Sequence, residues 1–343
     1  MVSIATKRLF SMALTLVLSL IWIQQEFQAQ TRIRLATLAP AGTTYHQELL
    51  AMGQRWQQQG VKLTIYTDGT QGAEPETVSR MRIGELQAAL LTVGGLAEID
   101  ESVTALQEMP MMFRSLDEAE YVRKRLRADL DKRLYDKGFV TLFWADTGWV
   151  RFFSRDAGIH PDDLCKKMKM FVTAGPGGDH QVEIMKAANC HPVQLEWTNL
   201  IPALQTGMVD AVPTSPMVAL AGQFNLVTKH MLEVNWVPLV GALVIRRETW
   251  EKLPASAQES LRKAAEDAGS KIQSRSRCES EQAVDAMRKR GMQVHVATPA
   301  EEAEWRKMAE SVYPTVRGGI VPAVMFDRVQ QLLAQYRQTG GGK

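Results

Sequence analysis

The chain has 343 residues, with 40 Lys and Arg against 38 Asp and Glu, 45% hydrophobic and 23% charged residues. That composition excludes the disordered and collagenous classes, and a length of roughly two 150-residue domains excludes a single small module. A net charge of +2, with no basic stripe interleaved with aromatics, leaves no electrostatic footprint for nucleic acid.

The N-terminus reads as a secretory signal peptide over residues 1–30. Lys7 and Arg8 precede an apolar run from Leu9 to Ile23, and polar Gln24, Gln25, Glu26 and Gln28 follow it. The run is short for a membrane span of about twenty residues, and cleavage is expected near Ala29 to Thr31, releasing the mature chain into the periplasm. Its removal takes away Lys7, Arg8 and Glu26 and leaves the net charge near zero.

From Arg32 the pattern alternates strand and helix. Arg32 to Thr37 reads as a strand, and Thr43 or Thr44 caps a helix with Leu49, Leu50, Met52 and Trp56. Lys62 to Thr67 is a second strand ending at the Asp68-Gly69 turn; Pro75 opens a helix through Met81, and Ala88 to Val93 is a buried strand. Leu116 to Lys137 is a charged surface helix stopped by Gly138, before the strand Phe139 to Trp144.

A second unit begins at Val150 to Ser154 and continues through strand Lys169 to Val172, helix Asp179 to Ala188 and strand Pro192 to Leu195. A short helix over Thr198 to Thr206 ends at Gly207 and leads to a strand over Val209 to Val212; Pro213 and Pro216 then force a loop. Strands at Met231 to Trp236 and Gly241 to Arg246 lead out. The segment Ala255 to Arg288 is the longest helix; more than thirty residues at 1.5 Å each reach about 50 Å, enough to lie across both units. The expected organisation is lobe I over 31–149 and about 238–285, lobe II over 150–237 and about 286–337, and a disordered tail at 338–343.

Chemistry-bearing motifs are absent: no GxSxG, HExxH, GxxxxGK[ST] or GxGxxG occurs, and the six histidines are scattered. An enzyme reading therefore starts weak, and no metal or cofactor is expected. The Gly-rich turn Ala174 to Asp179 is a poor phosphate cradle, because Pro176 removes a donor and Asp179 repels an anion. Asp146 with Glu196 is the one acid pair an enzyme could use. Cys165, Cys190 and Cys278 are too few for a disulfide framework; an oxidising compartment permits a single bridge, for which Cys165 and Cys190 are the pair, the alternative being free buried thiols. Aromatics are more suggestive: Trp144, Trp149, Phe152, Phe153, Phe171, Trp197 and Trp236 fall at or beyond strand ends, where open α/β sheets bind ligands.

Three segments carry a family resemblance. Gly72-x-Glu74 with Met81 and Gly84-Glu85-Leu86, the run Leu204-Gln205-Thr206-Gly207-Met208-Val209-Asp210, and the Pro161-Asp162-Asp163-Leu164 entry to the strand at 169–172 resemble the substrate-binding proteins of TRAP transporters, of the DctP type. The resemblance runs in order over about residues 32–335. It implies a two-lobed, Venus-flytrap α/β fold with hinge strands and a helix spanning both lobes. It also implies a receptor that closes on a solute and delivers it to an ion-driven membrane permease.

The departures from that pattern concern the ligand. Phe171 stands where acid-binding members carry an arginine that clamps the substrate carboxylate. Val150 stands at a second family arginine, with Arg151 beside it on the opposite strand face. Val212-Pro213-Thr214-Ser215 replaces the usual Gln-Glu-Asn-Pro. Burying an unpaired carboxylate costs several kcal/mol, whereas apolar burial gains about 25 cal/mol per Å². The expected ligand is thus a neutral, hydrophobic or amphipathic, even lipid-like solute. It would be held by Trp144, Trp149, Phe171, Trp197 and Trp236, with Thr43, Thr173, Thr214 and Ser215 donating hydrogen bonds. The alternative is a small organic acid held by Arg151, or by a cation bridged through Asp146 and Glu196. A receptor that feeds a sensor or enzyme in place of a permease would share this fold.

Overall fold

A computed structural model describes residues 31–340, apart from the side chains of Pro176, Gly177 and Ala187. The expected signal peptide and the final three residues lie outside the described residues.

Two sheets organise the molecule. The first has the order β2-β1-β3-β10-β4, from strands β1 (Thr31–Thr37), β2 (Val61–Tyr66), β3 (Ala88–Thr92), β4 (Phe139–Trp149) and β10 (Pro238–Arg246). The second has the order β11-β9-β5-β8-β6-β7, from β5 (Arg151–Ser154), β6 (Lys169–Thr173), β7 (His191–Leu195), β8 (Ala211–Thr214), β9 (His230–Glu233) and β11 (Gln293–Val296). β1, β2 and β3 run parallel, while β10 is antiparallel to both β3 and β4. β5 is antiparallel to its neighbours β8 and β9.

The chain crosses between the sheets at Trp149–Arg151, from β4 directly into β5, and again over residues 234–237, from β9 into β10. The two crossings are tied by Val150 N–H donating to Val237 O at 2.8 Å. β4 is longer than its sequence pattern predicts, running to Trp149 with all eleven residues buried. An all-buried strand shows no alternation to mark its end. Conversely, the predicted strand Met231 to Trp236 stops at Glu233, because the chain leaves the sheet to cross back.

Each sheet is covered on both faces. On one face of the first, helix Leu116–Asp136 buries Ala119, Val122, Leu126, Leu130 and Leu134 at helical spacing. Its start is capped by the Ser115 hydroxyl accepting from Glu118 N–H at 3.1 Å. On the other face lie helix Thr44–Gln57 and the helix Ala255–Lys289, which has 35 residues. This long helix presents Ala264, Ala265, Ala268 and Gly269 to the sheet. A Cβ placed on Gly269 would fall 2.5 Å from the Phe143 ring, so only glycine permits this approach. Further along, Ala283, Val284 and Met287 of the same helix join the core of the second sheet, so the helix spans both lobes.

The C-terminal assignment is corrected by packing. Helix Pro299–Val316 starts in the second lobe, where Trp305 and Ala309 are buried with Phe152 and Met168. Val316 already belongs to the first core, and helix Ala323–Gln338 packs there with Phe326, Val329, Leu332 and Leu333. The segment expected in lobe II over 286–337 therefore returns to lobe I, and Gln338 is helical and not part of a tail. Among the described residues no helix is long and apolar enough to cross a membrane.

Candidate functional site

The carboxyl ends of the parallel strands face the gap between the lobes. In lobe I, Thr37 and Leu38 at the end of β1, with Gly69, Gln71, Gly72 and Glu74, line a narrow crevice with no room for a water molecule. Its wall is fixed by Glu74, whose carboxylate accepts from the N–H and hydroxyl of Thr92, both at 2.6 Å. Burial pushes the Glu74 carboxyl above its ordinary range.

The lobes touch around this gap. Gly69, at φ +67°, stands where an added Cβ would lie 3.1 Å from Leu38 and 3.4 Å from the Thr198 methyl of the opposite lobe. Gly175 of lobe II lies against Pro75 and Glu98 of lobe I. Gln181 of lobe II donates to Glu108 of lobe I at 2.6 Å, and burial raises the Glu108 carboxyl. Burial likewise raises Glu98, helped by the nearby charge of Asp179.

The expected aromatic cage does not form. Trp144 packs in the lobe I core and donates its indole N–H to Asp131 of helix Leu116–Asp136 at 2.8 Å. Trp149 is buried in the same core. Phe171 is 5% exposed in the core of lobe II, edge-on to Trp197 with ring centroids 5.8 Å apart. Trp236 packs with Phe152 and Trp305 on the other face of that lobe. The set is thus shared among three cores. Neighbouring strand residues face opposite ways, and the helices covering each face absorbed the rings.

The polar candidates also separate. Asp146 is clamped by Arg277 of the spanning helix, through Nε and Nη2 donating to its two oxygens, each at 2.8 Å. Asp146 is thus taken up by Arg277, while Glu196 lies beyond β7, an edge strand of the other sheet. Among the described residues no three His, Cys, Asp or Glu side chains are grouped to hold a metal. Ser215 caps helix Pro216–Ala221 by accepting from Val218 N–H at 3.4 Å. The Thr43 hydroxyl donates to Pro40 O at 2.7 Å. Thr173 ends β6 and is exposed, while Thr214 is buried opposite Arg151. Cys165 and Cys190 are joined by a disulfide, and Cys278 is free and exposed.

Arg151 is a buried cation beside the first crossing. It opens β5 directly after the first crossing and pairs across to Thr214, the last residue of β8, which sets it at the strand ends next to that crossing. The residue is 5% exposed. Its Nη1 donates to Asn235 Oδ1, and its Nη2 lies 3.6 Å from Glu233 Oε1. Its Nε is buried with no hydrogen-bond partner among the described residues. Burial lowers the guanidinium pKa, against the charges of Glu233 and Glu281. Glu233 and Asn235 carried no signal in the sequence, since both lie more than eighty positions from Arg151.

Two α/β lobes, two crossing segments, a helix spanning both and a gap lined by strand ends define a two-lobed solute-binding protein. The DctP family, bacterial extracellular solute-binding proteins of family 7, matches residues 35–317. The chain belongs to this family, whose members are periplasmic solute receptors of TRAP transporters. It is 22% identical over 267 residues to the C4-dicarboxylate-binding periplasmic protein DctP of Rhodobacter capsulatus, covering 76% of this chain and 78% of that protein. A solute-binding protein of Verminephrobacter eiseniae is 26% identical over 237 residues, covering 68% of this chain and 69% of that one. Among solved structures, a TRAP solute-binding protein of Shewanella oneidensis with bound succinate superposes with a TM-score of 0.81 at 16% identity, over 89% of this chain and all of that one. One from Ralstonia eutropha with bound (S)-2-acetolactate gives 0.80 at 20% identity, over 89% of this chain and 99% of that one.

Proposed function

We propose that this chain, exported by its N-terminal segment, is the receptor of a TRAP transporter that captures a small organic acid between its lobes and hands it to a membrane permease. Arg151 is the group that holds the acid. The observation that carries this reading is the partnerless, buried Nε of Arg151 at the start of β5, beside the first crossing. An unmade hydrogen bond at a buried donor costs about 1–3 kcal/mol, and more for a charged group. A carboxylate seated there makes a charge-assisted bond, about twice as strong as a neutral one.

The relatives support the same class, since the solved neighbours hold succinate, L-gulonate and (S)-2-acetolactate. The hydrophobic-solute reading loses its support, because the aromatic side chains that motivated it fill the cores. The bridging-cation variant loses Asp146 to Arg277. Function then follows from hinge bending at the two crossings. Ligand contacts made only when the lobes are together shift the population to a closed form that the permease reads.

Isothermal titration of the chain from residue 31 with a panel of small mono- and dicarboxylates tests this. At least one acid is expected to bind, weakened about thirtyfold or more in Arg151→Gln. Acid binding that survives the substitution, or a co-purifying apolar solute with no acid bound, overturns the reading.

A further inference from the structure

A guanidinium grips a carboxylate best along one edge, with two parallel N–H donors meeting two oxygens. In Arg151 the outer nitrogen Nη1 is satisfied by Asn235. The Nε and Nη2 edge is different: Nε has no partner, and Nη2 meets Glu233 at 3.6 Å, an ion-pair distance too long for a hydrogen bond. The edge suited to a ligand carboxylate is therefore flanked by a carboxylate of the protein itself. Glu281, on the spanning helix, also acts on Arg151, so the guanidinium already feels two negative charges.

We propose that Glu233 is a specificity-determining residue, a built-in carboxylate that competes with the ligand for Arg151 and selects acids carrying one carboxylate over dicarboxylates. This rests on the reading of Arg151 as the acid anchor. Glu233 ends β9 and Asn235 lies in the second crossing, whereas Arg151 follows the first, so Arg151 ties the two crossings together. A ligand that takes the Nε and Nη2 edge must sit beside Glu233, whose side chain is 23% exposed while that of Arg151 is 6% exposed. Two like charges about 6 Å apart, at an effective dielectric of about 20 to 40, weaken binding by roughly ten- to a hundredfold. A dianion meets this repulsion with a further charge to place near Glu233 and Glu281, whereas a hydroxy or keto monoacid offers neutral oxygens.

The test is isothermal titration of lactate and succinate against the wild type, Glu233→Gln, Glu233→Ala and Arg151→Gln, with melting temperatures to confirm folding. Wild type is expected to prefer lactate. Both Glu233 variants are expected to bind succinate roughly ten- to a hundredfold more tightly and to lose the preference. Arg151→Gln is expected to lose both acids. Folded Glu233 variants that bind both acids with wild-type affinity, or more weakly, overturn the proposal while a loss in Arg151→Gln leaves the anchor standing. Acids bound equally by wild type and Arg151→Gln, or by none of the proteins, overturn the anchor and the proposal with it.

Discussion

Arg277, bound to Asp146 of β4, and Arg151, at the start of β5, flank the first crossing and are used in opposite ways. Arg277 spends its Nε and Nη2 edge on Asp146 and also reaches Glu120 at 3.2 Å, so the spanning helix is locked to β4 and to helix Leu116–Asp136. Its hydrogen bonds to Asp146 raise its pKa despite burial. Arg151 is more deeply buried, has lost pKa to burial, and leaves the same edge without a hydrogen bond. A matched guanidinium is a structural fastening. An incompletely matched one leaves a donor free for the acid that the proposed function assigns to it.

Breaking the matched pair gives the largest expected effect. Asp146→Ala leaves a partly buried Arg277 with Glu120 alone and is expected to cost about 3 kcal/mol or more by chemical denaturation. Arg151→Gln, by contrast, is expected to cost about 1–2 kcal/mol, since only an incomplete set of contacts is lost. A loss of stability as great as that of Asp146→Ala would place Arg151 among the structural groups.

The second lobe has a covalent fastening of its own. Cys165→Ser with Cys190→Ser opens a link across 25 residues and is expected to lower stability by about 3 kcal/mol. The loss should appear in hydrogen exchange of β6 and β7 before it appears in β1 and β3. Uniform loss across both lobes would show that they unfold as one unit.

Contact between the spanning helix and the first sheet is sharpened by Gly269→Ala, which pushes a methyl toward Phe143. About 1–3 kcal/mol of overpacking cost is expected in thermal unfolding. An unchanged melting temperature would show that Phe143 moves aside freely.

The smallest effect concerns acid. Burial works to raise the Glu118 carboxyl, but hydrogen bonds and charge from Arg337, with the Arg114 N–H, outweigh it and hold the group below its usual range. A depressed folded pKa means that this stabilisation is present above the unfolded carboxylate pKa and is lost as pH falls through the lower folded value. Helix Ala323–Gln338 should therefore loosen from lobe I only below about pH 4, seen as protection factors of its amides that fall with pH in the wild type and stay constant over that range in Glu118→Gln.

Much of the architecture was legible from local patterning. The alternating strands, the Gly138 stop and the length of the spanning helix are each set by nearby residues, and the Leu204–Asp210 segment carried the family. Arg151 was legible as a candidate, but its standing was not. Whether an arginine is spent or in reserve depends on which carboxylates reach it, and Glu233 and Asn235 arrive through a different crossing strand. Asp146 misled for the same reason, its partner Arg277 being more than a hundred positions away.

By itself the sequence determined two α/β lobes, the crossings near residue 150 and before residue 238, and membership of a solute-receptor family, because hydrophobic period, turn residues and helix caps act over a few residues. Only the tertiary structure decided that Trp144, Trp149, Phe171 and Trp236 fill three separate cores, that the last helix returns to lobe I, and that Arg151 keeps its Nε without a partner. Alternation tells which residues share a face of a strand. What covers that face, and which distant charge meets it, is settled by packing between segments far apart in the chain.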